Sequence, residues 1–345
     1  MGEISATGAK SKIQLMVPAK VANLIGKHSS GAASVNNMFV EQFNYGHREI
    51  LLQFTGLDFS SQLIGNLQHG IFAPWSDVDY RTPTYLWGRK TKFWVYSKYL
   101  EVAGKKKGFK NVVAIGAPWS YIPRKLIELN HGKKDNSGKI LVMPMHSQGD
   151  TINQSTVTQK NKRAKLFREA SGSSEATVCL HYFDYLDIET TRAFKDYGFE
   201  VTCLGLGAIS PPWSRATGRL TYLPRLMKLM DEHEFYLTDG FGTSLFYAID
   251  SQMKVGIFAE IEKELSIGAR GLSTKLDSKS SARNESNHFF HQELPNLVNR
   301  FGYGHEYISL SDEWLGKDCM RNPQELIEIL DYKIGVYPDF EERVW

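Results

Sequence analysis

Short runs of apolar residues alternate with segments of helical periodicity along most of the chain. The runs in the first half cover 13–17, 49–54, 64–68, 92–97 and 111–118, and those in the second half cover 140–145, 176–183, 199–206, 234–239 and 254–258. They are continuously apolar rather than alternating, which is typical of parallel strands buried on both faces. The pattern therefore predicts strands of parallel sheets that are covered by helices.

The segments between and after these runs predict helices. One lies in 219–232, where four apolar residues recur at steps of three and four positions and so share one buried face: Leu220, Leu223, Met227 and Met230. A second helix, 243–250, follows a Gly-rich turn, with Thr243 or Ser244 as its cap. The last begins at Asn322, which a proline follows.

A polar stretch, 130–139, separates the two series of apolar runs and predicts a linker. We therefore expect an N-terminal domain over 1–134 and a C-terminal domain over 135–345, whose final helices pack back on the N-terminal domain. The predicted fold class is α/β, with two doubly wound Rossmann-like domains facing a cleft. The polar segment 268–286 predicts a mobile surface loop.

Composition narrows the class of protein. Apolar residues make up 42% of the chain and charged residues 23%, which are ordinary values for a globular protein with a sizeable core. The three cysteines show no CxxC spacing, and no apolar run is long enough for a spanning helix or a secretory signal. We therefore expect a cytoplasmic protein with reduced thiols and no zinc site.

Positive charge is concentrated in the segment 86–125. Ten lysines and arginines stand there against one acid, Glu101, although the whole chain carries only +3. Such a segment favours an anionic partner, and an exposed lysine-rich surface without a partner is the alternative. We expect this segment to contact the anionic inner face of a membrane. The low net charge of the whole chain argues against a nucleic-acid partner.

The junction 239–244 is the clearest candidate site. A strand ends on Asp239, two glycines turn the chain, and a helix begins, at the edge where a doubly wound sheet binds its ligands. The N–H groups of a helix start favour phosphate, and the predicted phosphate ligands are Gly242, Thr243, Ser244, His146 and Ser147. The alternative is an ordinary helix cap without a ligand. Because Asp239 would repel a phosphate, we expect it to contact a donor sugar or base, together with Gly205 and His181.

The first half supplies candidates for acid–base chemistry and for an acceptor. The run 64–68 ends on Gln68 and is followed by His69, which titrates near neutral pH and can act as a general base. Asp77 or Asp79 is an alternative base. Arg89 and Lys90 are the predicted acceptor-side contacts. The sequence contains no Walker A motif and no GxGxxG after an opening strand, so neither P-loop hydrolysis nor dinucleotide binding is supported.

Three segments of the chain resemble GT-B type glycosyltransferases, and more narrowly bacterial and viral surface-glycan enzymes of the capsule, teichoic-acid and sialic-acid/Kdo type. They are LQHG (67–70), VVAIGAPWSYI (112–122) and FYLTDGFGTSLFYAIDSQMKVGIF (235–258). The resemblance implies a C-terminal domain for a nucleotide-linked sugar donor, an N-terminal domain for the acceptor, and chemistry without a metal or other cofactor. It also implies that Thr243 and Ser244 hold the donor phosphate and that His69 lies at the catalytic cleft.

The predicted function is therefore transfer of a sugar from a nucleotide-linked donor to a hydroxyl of a surface-glycan or lipid-linked acceptor. Two alternatives stay open. A nucleotide-sugar 2-epimerase of the same fold would need no acceptor. A non-catalytic protein would bind an anionic polymer or glycan through the basic segment and show no affinity for nucleotides.

Overall fold

The computed structural model describes residues 45–68, 70–71, 92–106, 108–124, 138–145, 156–205, 221–240, 242–258 and 292–334. The helices are α1 His47–Thr55, α2 Lys98–Lys106, α3 Val157–Ser171, α4 Tyr182–Leu186, α5 Ile188–Asp196, α6 Tyr222–Asp231, α7 Thr243–Asp250, α8 Ile308–Leu315 and α9 Pro323–Ile329. Short 3₁₀ helices span Pro118–Tyr121, Pro295–Leu297, Gly304–Tyr307 and Lys317–Cys319. The predictions made for 13–17, 130–137 and 268–286 lie outside the described residues.

The strands are β1 Gln62–Leu63, β2 Asn66–Leu67, β3 Phe93–Val95, β4 Val112–Ala114, β5 Ile140–Val142, β6 Ala176–Cys179, β7 Glu200–Thr202, β8 Phe235–Thr238, β9 Lys254–Ile257, β10 Phe301–Tyr303 and β11 Tyr332–Lys333. The protein is thus a mixed α/β protein, as predicted. Nine of the ten apolar runs can be compared with described residues, and eight of these nine contain a strand.

In the described ranges, six strands form the large sheet, in the order β10-β9-β8-β5-β6-β7. All neighbouring pairs are parallel except β9 and β10, which are antiparallel. The chain therefore starts in the middle at β5, adds β6 and β7 on one side, and then returns to add β8, β9 and β10 on the other. This is the strand order of a doubly wound sheet.

A second, small sheet consists of β2, β3 and β4, which are all parallel. A two-stranded ribbon joins the ends of the described chain, because β1 pairs antiparallel with β11. Close by, the Ile64 N–H donates to the Asp331 carbonyl at 2.6 Å, and Lys92 pairs with Asp331 at 2.9 Å. The last described residues therefore lie beside β1 and the small sheet.

Alternate residues of the central strands enter two different cores. In β5, Ile140 and Val142 pack with α3 and α5 on one face, whereas Leu141 packs with α6 and α7 on the other. The second core continues without a break into the small sheet through Trp94 and Trp119. The Trp119 ring stacks on Tyr247 of α7, with ring centroids 4.2 Å apart. Helix α7 is therefore buried between the two sheets.

The run 49–54 was predicted to be a strand, and this prediction is wrong, because it belongs to helix α1. Glycines in the left-handed conformation, Gly46 and Gly56, flank the helix at its two ends. A continuous apolar run of this length fits a buried helix as well as a strand, and periodicity cannot separate them. Arg48 is 0% exposed in this helix, and it donates to the Ser61 carbonyl, which lies beyond the helix.

The predicted helices after the linker are confirmed. In α6, Leu223, Met227 and Met230 are buried on one face, as their spacing predicted, and Leu220 lies outside the described residues. Helix α9 begins at Asn322 with a complete capping box, in which Asn322 and Glu325 each accept from the other's backbone N–H. Local sequence signals were sufficient at these positions.

Glu101 of α2 anchors that helix to the small sheet and yields a prediction about acid stability. Its buried carboxylate accepts from the Ala114 N–H at 3.0 Å and pairs with Lys98 and Lys105. Burial alone would raise the pKa of Glu101, but the hydrogen bonds from Lys105, Lys98 and Ala114 outweigh it and lower the pKa to about 2. The ionised carboxylate is therefore favoured in the folded state.

Replacing Glu101 by glutamine should lower the free energy of unfolding by about 2 kcal/mol near neutral pH. Because the folded pKa is depressed, this contribution is complete above the unfolded pKa of about 4.3 and disappears as the pH falls towards about 2. Urea unfolding of both proteins should thus give curves that converge in acid. The control is Glu175→Gln, whose partner Lys139 lies 3.0 Å away on the surface; a difference that did not shrink in acid would contradict the assignment.

Candidate functional site

The candidate site lies at the carboxyl ends of the parallel strands of the large sheet. The winding direction of the chain reverses between β5 and β8, which are neighbours in the middle of the sheet. Ligands of doubly wound sheets bind in the crevice outside this reversal point. Residues 143–145 leave the sheet here after β5, and residues 239–240 and 242 leave it after β8.

Asp239 joins these two segments from the inside. Its side chain is 0% exposed, and its Oδ1 accepts from the Met145 N–H at 2.7 Å. Its Oδ2 accepts from Nε and a terminal nitrogen of Arg163 in α3, at 2.9 and 2.6 Å, and Arg163 also donates to the Met145 carbonyl at 2.7 Å. Both carboxylate oxygens are thus used within the protein. Asp239 presents no surface to a donor sugar or base, in contrast to the expected contact.

Helix α7 begins at the crevice without a side-chain cap. Its N-cap is Gly242, and among the described residues no side chain caps its first turn, whereas α3 and α9 both begin with complete capping boxes. The prediction of Thr243 or Ser244 as the cap is therefore wrong. Residues 242–244 are half-buried and 245–250 are buried, so the body of the helix is held in the core while its positive end faces the crevice.

Thr243 connects the crevice to the small sheet. Its Oγ1 accepts from the Ile71 N–H at 2.8 Å, across 172 positions of sequence. Gly70 lies so close that a Cβ at that position would come within 2.6 Å of the same oxygen. Because Oγ1 accepts from Ile71, the Thr243 hydroxyl keeps its own hydrogen for donation. The structure therefore brings together two segments that were predicted as separate candidates, 67–70 and 239–244.

Ser244 is held from the opposite side. Its Oγ lies 2.8 Å from the hydroxyl of Tyr236 in β8. Burial, partly offset by the hydrogen bond with Ser244, raises the pKa of Tyr236, so the phenol stays protonated at neutral pH. When the phenol donates to Ser244, the serine hydroxyl hydrogen is left to point at a ligand.

Gln68 holds the turn that contacts Thr243, and sequence reasoning missed it. Its Oε1 accepts from the Tyr96 N–H at 2.7 Å, and its Nε2 donates to the Gly70 carbonyl at 2.6 Å. The side chain is 1% exposed, and its two hydrogen bonds link the end of β3 to the turn at Gly70. The signal in the sequence that could have indicated this role is an apolar run, 64–68, that ends on the amide side chain of Gln68.

His181 and Gly205 follow the neighbouring strands at the same edge. His181 is half-buried at the start of α4, and its ring lies 5.5 Å from that of Phe183. Gly205 follows β7 in the left-handed conformation with φ 94. In the sheet, β6 is two strands from β8 and β7 is three, which corresponds to about 10 and about 14 Å. Both residues therefore share the edge with Thr243 but do not contact it.

Other predicted site residues lie outside the described residues. They are the three candidate bases His69, Asp77 and Asp79, the donor-side residues His146 and Ser147, and the acceptor-side residues Arg89 and Lys90. Of the sequence neighbours of these residues, Gly70 and Ile71 contact Thr243 at the start of α7.

The cysteines near this edge are not poised as nucleophiles. Cys179 ends β6, and burial raises the pKa of its thiol to about 12. Burial also raises the pKa of Cys203, which follows β7. Both thiols therefore stay protonated at neutral pH. Within the described ranges, no group of three His, Cys, Asp or Glu side chains is assembled that could hold a metal ion.

Comparison with protein families, with curated proteins and with solved structures finds no match to this chain. In the part of the chain that the structure describes, no helix combines the length and the apolar character needed to cross a membrane.

Proposed function

We propose that the protein is a glycosyltransferase that uses a nucleotide-linked sugar donor, with two Rossmann-like units facing a cleft. The observation that carries the proposal is the contact between Thr243 and Ile71. It joins the reversal point of a doubly wound sheet, where nucleotides commonly bind, to the carboxyl edge of a second parallel sheet. A transferase needs such a junction, because donor and acceptor must meet in one crevice.

The donor phosphate is proposed to lie at the start of α7. The N–H groups of the first turn, which no described side chain caps, the helix dipole and the two hydroxyls of Thr243 and Ser244 favour an anion there. Gly242 leaves space for close approach, since a Cβ there would first meet Met145 Sδ at 3.4 Å. Asp239 and Arg163 position the two loops of the crevice rather than contact the ligand. His146 and Ser147 remain predicted phosphate contacts.

The proposed reaction transfers the sugar in one substitution at its anomeric carbon. The acceptor hydroxyl oxygen forms a bond to that carbon, the bond from the carbon to the donor phosphate breaks, and the hydroxyl proton passes to a base. His69 is the proposed base because Gly70 and Ile71, which follow it in the sequence, contact Thr243, with Asp77 or Asp79 as alternatives. The start of α7 would stabilise the charge that develops on the leaving phosphate.

A thermal-shift screen with CMP, CDP, UDP, GDP and TDP tests the donor class. A nucleotide that binds only the folded state adds about 2.7 kcal/mol of stability at a hundredfold excess over its Kd, so the stabilising base names the donor. Product analysis with and without an acceptor would then separate transfer from 2-epimerisation. No stabilisation by any nucleotide would contradict the proposal and favour a non-catalytic binder.

Replacing Thr243 and Ser244 together by alanine should weaken the binding of the stabilising nucleotide about tenfold or more, because two donors to the phosphate are lost. Isothermal titration measures the effect. Thr243→Ser keeps the hydroxyl and should retain most of the affinity.

The matched control is Thr55→Ala with Ser171→Ala. It removes the same atoms, but these hydroxyls donate to carbonyls of their own helices, α1 and α3. An equal loss of nucleotide affinity in the control, or none in the Thr243 and Ser244 variant, would contradict the assigned phosphate site.

A further inference from the structure

Helix α2 exposes a face of one charge. At about 100° per residue, five of its nine residues fall within an arc of roughly 120°, and all five are exposed: Lys98, Tyr99, Val102, Lys105 and Lys106. Lys110, in the turn after the helix, is exposed as well. We call these six residues the lysine face. The opposite side of the helix, with Leu100, Glu101 and Gly104, is buried.

Apolar side chains lie between the lysines. Tyr99 is 46% exposed and Val102 is 43% exposed, and both belong to the small set of large apolar residues that remain exposed in the described part of the chain. The Tyr99 ring packs against that of Trp314 in α8, with ring centroids 6.0 Å apart. Contact of an exposed aromatic ring and a valine with water is unfavourable, so their presence among lysines indicates an interaction surface.

No acid is exposed on this face. Glu101 lies next to it on the helix, but its carboxylate turns inward, where Ala114 donates to it, and its side chain is only 8% exposed. It partly offsets Lys98 and Lys105, whereas no described carboxylate pairs with Lys106 or Lys110. The lysine face therefore keeps a positive field with an apolar centre.

We propose that the lysine face docks on the surface of an anionic lipid bilayer. Basic residues are attracted to the negative headgroups, while tyrosine and small apolar side chains enter the headgroup boundary. The described part of the face is the exposed side of one helix and the turn after it, which suits a flat surface, whereas a strand of nucleic acid needs a groove in which its bases stack. Charge of a single sign also fits a bilayer better than a protein partner with a mixed surface.

Docking would bring the crevice near the membrane. Helix α2 begins directly after β3, and the Tyr96 N–H at the end of β3 donates to Gln68, which holds the Gly70 turn. The start of the lysine face therefore lies at the same edge of the small sheet as that turn. This proposal does not depend on the proposed function, because the lysine face would hold the crevice at the same distance from the bilayer whatever ligand the crevice binds.

Vesicle sedimentation with the full chain tests the proposal. Partitioning should be strong on vesicles that contain about 30% phosphatidylglycerol, weak on phosphatidylcholine alone, and much reduced when the salt rises from about 0.05 M to about 0.5 M. Since each lysine near an anionic surface contributes about a fivefold gain in partitioning, Lys106→Gln with Lys110→Gln should lower it about 25-fold. Tyr99→Ser with Val102→Ser should lower it further at high salt, where the apolar contribution dominates.

The matched control is Lys195→Gln with Lys228→Gln, which removes the same charge from exposed positions on α5 and α6 and should change partitioning less than about twofold. Equal losses in both pairs would overturn the proposal, as would failure of the wild-type chain to bind anionic vesicles. It would also be overturned if single-stranded RNA bound as tightly as the vesicles and the Tyr99 and Val102 variant had no effect. Nucleotide thermal shifts should stay unchanged in all these variants, which separates this outcome from that of the proposed function.

Discussion

Replacing Gly316 by alanine should lower the free energy of unfolding by about 3 to 5 kcal/mol, which is a large part of the stability of an ordinary domain. Gly316 ends α8 in the left-handed conformation with φ 63, and an added Cβ would overlap the carbonyl oxygen of Tyr96. The overlapping atom belongs to the backbone at the end of β3, not to the tip of a flexible side chain. Alanine can therefore be accommodated only if α8 or β3 moves.

Gly198→Ala is the control that separates backbone strain from overlap. Gly198 has φ 78, but no atom lies within 4 Å of a Cβ at that position, so alanine there should cost only about 1 to 2 kcal/mol. Urea unfolding of the two variants gives the difference directly. Because Tyr96 also donates to Gln68, Gly316→Ala should in addition weaken ligand binding at the crevice. Equal destabilisation by the two variants would show that the overlap is absorbed without cost.

Replacing Asp239 by asparagine should lower the free energy of unfolding by about 3 kcal/mol and displace the loop that follows β5. The asparagine carbonyl can still accept from Met145, but its amide group would then face the guanidinium of Arg163, donor against donor. Because Asp239 is 0% exposed, water cannot replace the lost acceptor. Ligand affinity at the crevice should fall with the stability.

Glu169→Gln is the control for charge, since Glu169 pairs with Lys165 at 3.6 Å on the exposed side of the same helix as Arg163. It should change stability by less than about 0.5 kcal/mol. In the double variant Asp239→Asn with Arg163→Met, the unpaired cation is gone, so the loss should be smaller than the sum of the single losses. Additive losses in that cycle, measured by urea unfolding, would exclude a direct coupling of the two residues.

Much of the fold follows from local pattern. Continuous apolar runs located β2 to β9, and the Asn322 and Pro323 signal located α9, because burial on both faces and helix capping are local requirements. The strand prediction for 49–54 failed because a continuous apolar run of this length fits a buried helix as well as a strand, and only the packing of α1 distinguishes the two. The domain boundary near residue 135 stays a prediction.

For the candidate site, too, the local segments could be predicted, whereas the contacts between them could not. The sequence showed a strand, a Gly-rich turn and a helix at 239–244, and a strand ending before His69, since each of these is a contiguous segment. It could not show that Thr243 meets Ile71, that Gln68 braces the turn, or that Arg163 pairs with Asp239. The arginine lies in a charged helical segment that reads as a solvated surface.

The sequence by itself determined which segments become strands and helices, and where chemistry-bearing residues stand relative to strand ends. Only the tertiary structure decided which of these strand ends share an edge. It also decided that Asp239 is bonded within the protein and that Glu101 turns inward beneath an exposed lysine face. The reason is physical: periodicity reports the burial of a residue within its own element, whereas partners are set by the strand order, which places Asp239 and Arg163 together across 76 positions.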